Sequence, residues 1–411
     1  MHVPQELVDH IVDDLHDDTP SLKSCSLIAR TFTSPAQTLL FKKIEILPPK
    51  PDAQGSRSRD SLCQRFHKIL TLSPHLAPLV YELHIVLVGS ETSFDSDENG
   101  RYLQARRAPW IMSDGILSLV LPLLNIKRIS LLENSPGEWN GSGSFSMNWN
   151  NLERDLQSAL AAVFSSPTLE SVHLRGIVVQ SPAQLLSLFS EATYLTSMSI
   201  SRIYFTQKYH RRDPWPELRP WYPQLQSLFI SELFSDSSSH YLLHPRVDLS
   251  QIISLTIATD WGGAEKMIEV ILSLKHLQFY LSNRTRTPLH SILTPTLSSV
   301  HLFTQDLPFS MPSIFISCPP ESRLEKIILE GPTRPFRSEI ADSVINSTIG
   351  NLSALRTVEI RAYLSDKSDP PFHEWAAKVR SALPSLVGRG LLTFMEIEGV
   401  DTDTAPHDGW K

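Results

Sequence analysis

Cysteine is scarce. Cys25, Cys63 and Cys318 are the only three in 411 residues, and they lie far apart. An odd, scattered set forms neither a disulfide framework nor a zinc module. Positive charge is also short: 37 Lys and Arg against 44 Asp and Glu leave a net charge of −7. General nucleic-acid binding needs a concentrated basic face, so that class is disfavoured. No long apolar run is present. The longest, residues 116–126, is interrupted by Pro122 and falls far short of the ~20 residues needed to cross a bilayer. The first residues lack a positive flank and carry Glu6, Asp9, Asp13 and Asp14, unlike a signal peptide. The expectation is a soluble protein of the cytoplasm and/or nucleus, with no membrane and no nucleic-acid partner.

Recognisable catalytic chemistry is missing too. Gly141-Ser-Gly143-Ser has no Lys and no helix context for a phosphate loop. There is no G-x-S-x-G nucleophile elbow. Asp95-Ser-Asp97-Glu-Asn99-Gly100 begins like a calcium loop, but Arg106 stands where the bidentate Glu belongs. His240 with His244, and Cys63 with His67, are four apart and lack a third ligand nearby. Lys208-Tyr-His-Arg-Arg212 is one basic cluster in an acidic chain and reads as an exposed loop. The sequence therefore predicts a non-enzyme without metal or cofactor.

What is present is aliphatic and punctuated. Hydrophobic residues make up 41%, and there are 30 prolines, above the usual ~5%. Many short elements joined by turns are expected. Residues 1–46 read as three short helices. Pro4 precedes Leu7, Val8, Ile11, Val12 and Leu15 at helical spacing. Thr19-Pro20 and Ser34-Pro35 each read as an N-cap hydroxyl before a first-turn proline. Leu22, Cys25, Leu27 and Ala29 would mark the second helix, and Ala36, Leu39 and Leu40 the third. About 40 residues bury too little alone, so this unit should lean on something else.

Val3-Pro4-Gln5-Glu6-Leu7-Val8, Ile11, Leu15, Ser21-Leu22, Cys25, Leu27, Arg30, Phe32, Leu39-Leu40-Phe41 and Ile44 together resemble an F-box. The variant, with acidic residues before Thr-Pro and then Ser-Leu-x-x-Cys-Ser-Leu, is similar to F-box-like proteins of basidiomycete fungi. Phe32 departs from the family, which mostly has Trp there. The resemblance implies binding to the Skp adaptor of a cullin-RING (SCF) ubiquitin ligase. By position, the contact would fall on Pro4, Leu7, Ile11, Leu15, Leu22 and Cys25. The alternative is a helical cap on the end of a solenoid.

The rest of the chain repeats. The pattern apolar-x-x-apolar-x-apolar occurs twelve times, from Phe41/Ile44/Ile46 through Leu169/Val172/Leu174 and Leu274/Leu277/Phe279 to Leu392/Met395/Ile397. From Leu169 to Leu355 the steps run between 22 and 31 residues, close to a leucine-rich repeat. The Asn that usually follows occurs only as Asn134, so the array resembles a degenerate leucine-rich repeat. The expected fold is an α/β solenoid: a three-helix F-box over 1–46, then an irregular right-handed array of short parallel strands and helices over 47–400, then a flexible tail over 401–411. Loop insertions are expected near 48–60, 89–107, 134–150 and 206–222.

Residues between the apolar positions of each strand would face the concave side. There the middle repeats offer Ser and Thr, then Phe229, Tyr280, His301 and Phe303. The last repeats offer Lys326, Glu330, Glu359, Arg361, Glu396 and Glu398. Exposed aromatics beside small residues are typical interface anchors, so Phe229, Tyr280, His301 and Phe303 are the candidate contacts for a protein substrate. With the resemblance, the expected function is a non-catalytic substrate receptor of an SCF-type ligase. A protein-interaction scaffold without ligase coupling is the alternative.

Overall fold

In a computed structural model, the described residues are 4–48, 61–88, 95–96, 102–103, 110–112, 115–133, 147–207, 221–231, 242, 246–258, 264–281, 293–304, 317–318, 322–333, 352–364 and 370–397. The chain forms two compact units. One comprises residues 1–196 with 203–207, the other 197–202 with 208–411. Both are α/β and solenoid-like, with strands paired in parallel ladders.

The first unit opens with three helices, α1 (Gln5–Asp14), α2 (Thr19–Ile28) and α3 (Arg30–Lys42). Pro4 sits just before α1, and its carbonyl accepts the Leu7 and Val8 amides at 3.2 and 3.3 Å. The cap of α2 is Asp18, one residue earlier than Thr19: its carboxylate accepts the Ser21 amide at 3.1 Å and the Ser21 hydroxyl at 2.5 Å. Those two bonds hold the Asp18 carboxyl below its ordinary range.

The third helix corrects the expectation more substantially. It starts at Arg30, and Pro35 lies inside it. That proline forfeits one backbone bond. The helix persists because Phe32, Ala36, Leu39 and Leu40 must share the face that meets Val8, Val12 and Leu22. Ala29 is extended and exposed and separates α2 from α3. Leu27 is 86% exposed, so it is not part of the second helix's buried face.

No linker follows. Strand β1 (Lys43–Ile46) continues from α3, and Phe41 and Ile44 pack on a second cluster built from Phe66, Leu70, Leu76, Ala77, Val80 and Val120. Phe66 and Leu70 come from α4 (Leu62–Leu72), whose start is fixed by a reciprocal capping box between Ser61 and Gln64, and Leu76, Ala77 and Val80 follow it. The small helical unit thus leans on its neighbour, as its size requires.

Strands β2 (Glu82–Val88), β3 (Arg128–Glu133), β4 (Met147–Asn148) and β5 (Ser171–Val179) complete the first unit's ladder. Ile44, Leu83, Ile129 and Val172 align across it, and so do Ile46, Ile85, Leu131 and Leu174. Helix α5 (Arg154–Phe164) covers the core side: Phe164 lies 5.9 Å from the Trp149 ring and 5.2 Å from Phe189. Met147 to Trp149 therefore belongs to the packed structure, not to the expected loop. Asp95–Ser96, the start of the calcium-like stretch, pairs antiparallel with Tyr102–Leu103.

The second unit carries β6 (Ser197–Phe205, of which residues 203–205 belong to the first unit), β7 (Ser227–Ser231), β8 (Ser254–Ala258), β9 (His276–Leu281), β10 (Ser299–Thr304), β11 (Lys326–Pro332), β12 (Thr357–Tyr363) and β13 (Leu392–Glu396). Met198, Leu228, Leu255, Leu277, Val300, Ile327 and Val358 form one continuous row, and all are buried. These are the middle apolar positions of the repeats. Helices α6 (Pro182–Leu188), α7 (Ala264–Val270) and α8 (Phe372–Ala382) lie between strands in sequence and bury Leu185, Met267 and Trp375 respectively.

The twelfth repeat is out of phase. Val358 pairs with Leu392 and Ile360 with Phe394, so the last strand is displaced by three residues from Leu392/Met395/Ile397. An odd displacement exchanges the two faces of a strand. Met395 consequently aligns with Arg361 and is 47% exposed, while Glu396 aligns with buried Ala362. Glu396 thus leaves the outer row assigned to it. Glu398, the tail 401–411, His240 and His244 lie outside the described residues.

Two strands turn through the left-handed region. Gly176 (φ 74°) and Arg202 (φ 51°) each follow the third apolar position by two residues. A Cβ costs roughly 1–2 kcal/mol in that conformation. Gly176→Ala is therefore expected to lower stability by about that amount, read as a shift of the urea midpoint at constant m-value. Among the described residues no helix is long and apolar enough to cross a membrane.

Candidate functional site

Two surfaces stand out, one in each unit. The first lies on the helical trio. Val8, Val12, Leu22 and Ala36 form its core, with Leu15, Cys25 and Phe32 packed partly against them. Leu22, at 2% exposure, is therefore spent on internal packing. Leu15 and Cys25 are half-buried in the same cluster, whereas Pro4 is exposed. Leu7 (53%) and Ile11 (47%) stay open on α1. Sequence reading singled out neither Ile28, 72% exposed at the end of α2, nor the exposure of Leu27. Periodicity places a residue on a face but does not say whether another helix covers it.

The second surface is the sheet face of the second unit turned away from its core. The period of two puts Ser199, Phe229, Thr256, Gln278, His301, Ile328 and Glu359 in one row across β6 to β12. A parallel row carries Ser201, Ser231, Ala258, Tyr280, Phe303, Glu330 and Arg361. Tyr280 and Phe303, neighbours across β9 and β10, stack with centroids 4.2 Å apart and planes 4° from parallel. His301 lies 4.2 Å from Phe303, tilted by 31°. Its Nε2 meets a Glu330 carboxylate oxygen at 3.0 Å. The structure thus brings together three of the four expected aromatic-face residues. Phe229 is half-buried and three strands from His301, so it stands apart from the stack.

Burial, Glu330's negative charge and Tyr363 all raise the Tyr280 phenol above its ordinary range. The floor elsewhere is closed: Ser201, Ser254 and Thr256 are 4%, 7% and 2% exposed. The expectation of small hydroxyl residues open to a partner therefore fails at these three. Larger neighbours such as Phe229 and Gln278 stand on both sides of Thr256 in its row.

Beyond the aromatics lies an ion cluster. Lys326 Nζ and Arg361 Nε reach the two Glu359 oxygens at 2.8 and 2.7 Å. Burial pushes the Glu359 carboxyl up, but the bonds and charges of Lys326 and Arg361 outweigh it and hold it below its ordinary range. A depressed carboxylate stabilises the fold above its unfolded pKa and loses that contribution as pH falls through the folded one. Glu359→Gln is thus expected to be less stable than wild type at neutral pH, by about 1 kcal/mol for a pair with partly exposed cations. That gap should close under acid, read from urea midpoints across a pH series. The sequence named these residues as charged but not their pairing, which depends on strand register.

Among the described residues no group of three His, Cys, Asp or Glu is placed to hold a metal. Cys63 is fully buried inside α4, facing the core. Compared with models of known protein families and with curated proteins, the chain matches none.

Proposed function

We propose that the chain is a non-catalytic substrate-recognition subunit of an SCF-type ubiquitin ligase. Its N-terminal trio is the F-box that binds the Skp adaptor, and its degenerate, right-handed leucine-rich array holds a protein target. The observation that carries the reading is the apolar surface left on the trio. Leu7, Ile11, Leu27 and Ile28 remain 47–86% exposed although the same helices bury Val8, Val12, Leu22 and Ala36 in a common core. A helical cap has no use for such side chains, whereas a docking helix does. The F-box-like motif supplies the partner's identity, with Pro4, Leu7 and Ile11 as the accessible contacts and Leu22 as support beneath them. Catalysis would be by proximity, with the target's lysines brought to the ubiquitin-charged enzyme of the complex.

Co-expression with a fungal Skp adaptor tests the first half. The expected result is a stable 1:1 complex through size exclusion. A folded chain that emerges alone sinks the reading. Ubiquitination of a captured partner by the reconstituted ligase separates a receptor from a scaffold that binds without ligase coupling.

A further inference from the structure

The outer face of the second unit carries a buried carboxylate, Glu330, with a single hydrogen-bonded partner among the described residues. Glu330 is 5% exposed. Among the described residues its one hydrogen-bond partner is His301. Arg361 sits directly opposite it in the β11–β12 register. The Arg361 Nε is nonetheless committed to Glu359, and so is Lys326 Nζ. Among the described residues one carboxylate therefore holds two cations, while its neighbour is bonded to an imidazole. A buried carboxylate is costly unless it is paired, and a cation beside it lowers that cost.

The surroundings suit a cation that arrives from outside. Glu330 is paired across the ladder with Phe303, which stacks on Tyr280. Both rings are half-exposed. Aromatic faces attract a guanidinium or ammonium through the ring quadrupole. Glu330's field already reaches the Tyr280 phenol, so rings and carboxylate act on one locality.

We propose that Tyr280, Phe303 and Glu330 form a seat for a basic side chain, Arg or Lys, presented by the captured protein. The seat rests on the reading of this face as the receptor surface, and it specifies which targets that surface selects. His301 positions the carboxylate, and Arg361, next in the row, with Lys326 at the start of β11, repels a second basic residue on that side. The target segment therefore carries one basic residue flanked by neutral or acidic ones.

Saturation-transfer NMR on the full chain tests this with four probes: the N-acetyl amides of arginine, lysine, glutamine and glutamate. The arginine and lysine probes are expected to give signals at least fivefold above the glutamine probe. Glu330→Gln should remove that preference, and Lys326→Gln should leave it intact. An equal response to arginine and glutamine overturns the seat. So does a stronger response to glutamate, which would assign the face to anions through Lys326 and Arg361. Thermal unfolding reports whether Glu330→Gln folds. If it does not, Tyr280→Leu, which keeps the carboxylate, must lower the arginine signal at least threefold, and an unchanged signal overturns the proposal. Adaptor capture is read separately. Cation preference without adaptor capture keeps the seat and sinks the ligase reading. Adaptor capture without cation preference does the reverse.

Discussion

Replacing Leu7 and Ile11 together by Ser is expected to weaken adaptor capture by about 100-fold or more, with thermal unfolding almost unchanged. Both side chains are roughly half exposed on α1, so neither contributes much to the internal core. Apolar anchors at an interface centre are worth about 2 kcal/mol each, and two of them correspond to two or three decades of affinity. Leu22→Ala is the informative contrast. It removes a side chain that is 2% exposed, and a buried Leu→Ala change costs about 2–5 kcal/mol. Its loss of adaptor binding, if any, should follow the fraction of unfolded trio. Biolayer interferometry beside calorimetric melting separates the two behaviours. Equal capture by wild type and the Leu7/Ile11 variant would remove α1 from the docking surface.

Phe279→Ala is expected to be the most damaging single change in the second unit, at about 3–5 kcal/mol. The ring is fully buried on β9 and aligns with Ile257 on one side and Leu302 on the other. In a stacked array each repeat is stable only through its neighbours. A cavity at the middle therefore weakens two interfaces at once. Urea unfolding followed by both circular dichroism and Trp fluorescence should show the loss. Divergence of the two transitions would indicate that the array has split into independently melting parts. Phe394→Ala provides the mild comparison: its ring is half-buried in β13, against Trp375 and Arg380.

The contrast between those two phenylalanines shows where a linear pattern stops being sufficient. In eleven of the twelve apolar triplets the last two positions fall on strands in the expected phase, because their alternation is the footprint of a strand with one face in a core. At β13 the same letters fit a wrong phase. Leu392, Phe394 and Met395 are all apolar, and only pairing with Val358 and Ile360 decides which of them point inward. The third helix failed for a related reason. Ser34-Pro35 is a good local start signal, yet the need to bring Phe32 under Val8 and Leu22 set the start at Arg30 instead.

What the sequence by itself determined is the repeating alternation of buried and outer positions, and hence the parallel α/β array and the rows in which Phe229, Tyr280, His301 and Phe303 lie. Those follow from a local period and from the free energy of burying aliphatic side chains, both of which are written in neighbouring letters. Only the tertiary structure decided which outer residues meet. The Tyr280–Phe303 stack, the His301–Glu330 contact and the capture of Lys326 and Arg361 by Glu359 join residues 23 to 33 positions apart or select one partner from several. Such choices depend on register between strands and on competition among charges within a few ångströms. Neither is a property of any segment taken alone.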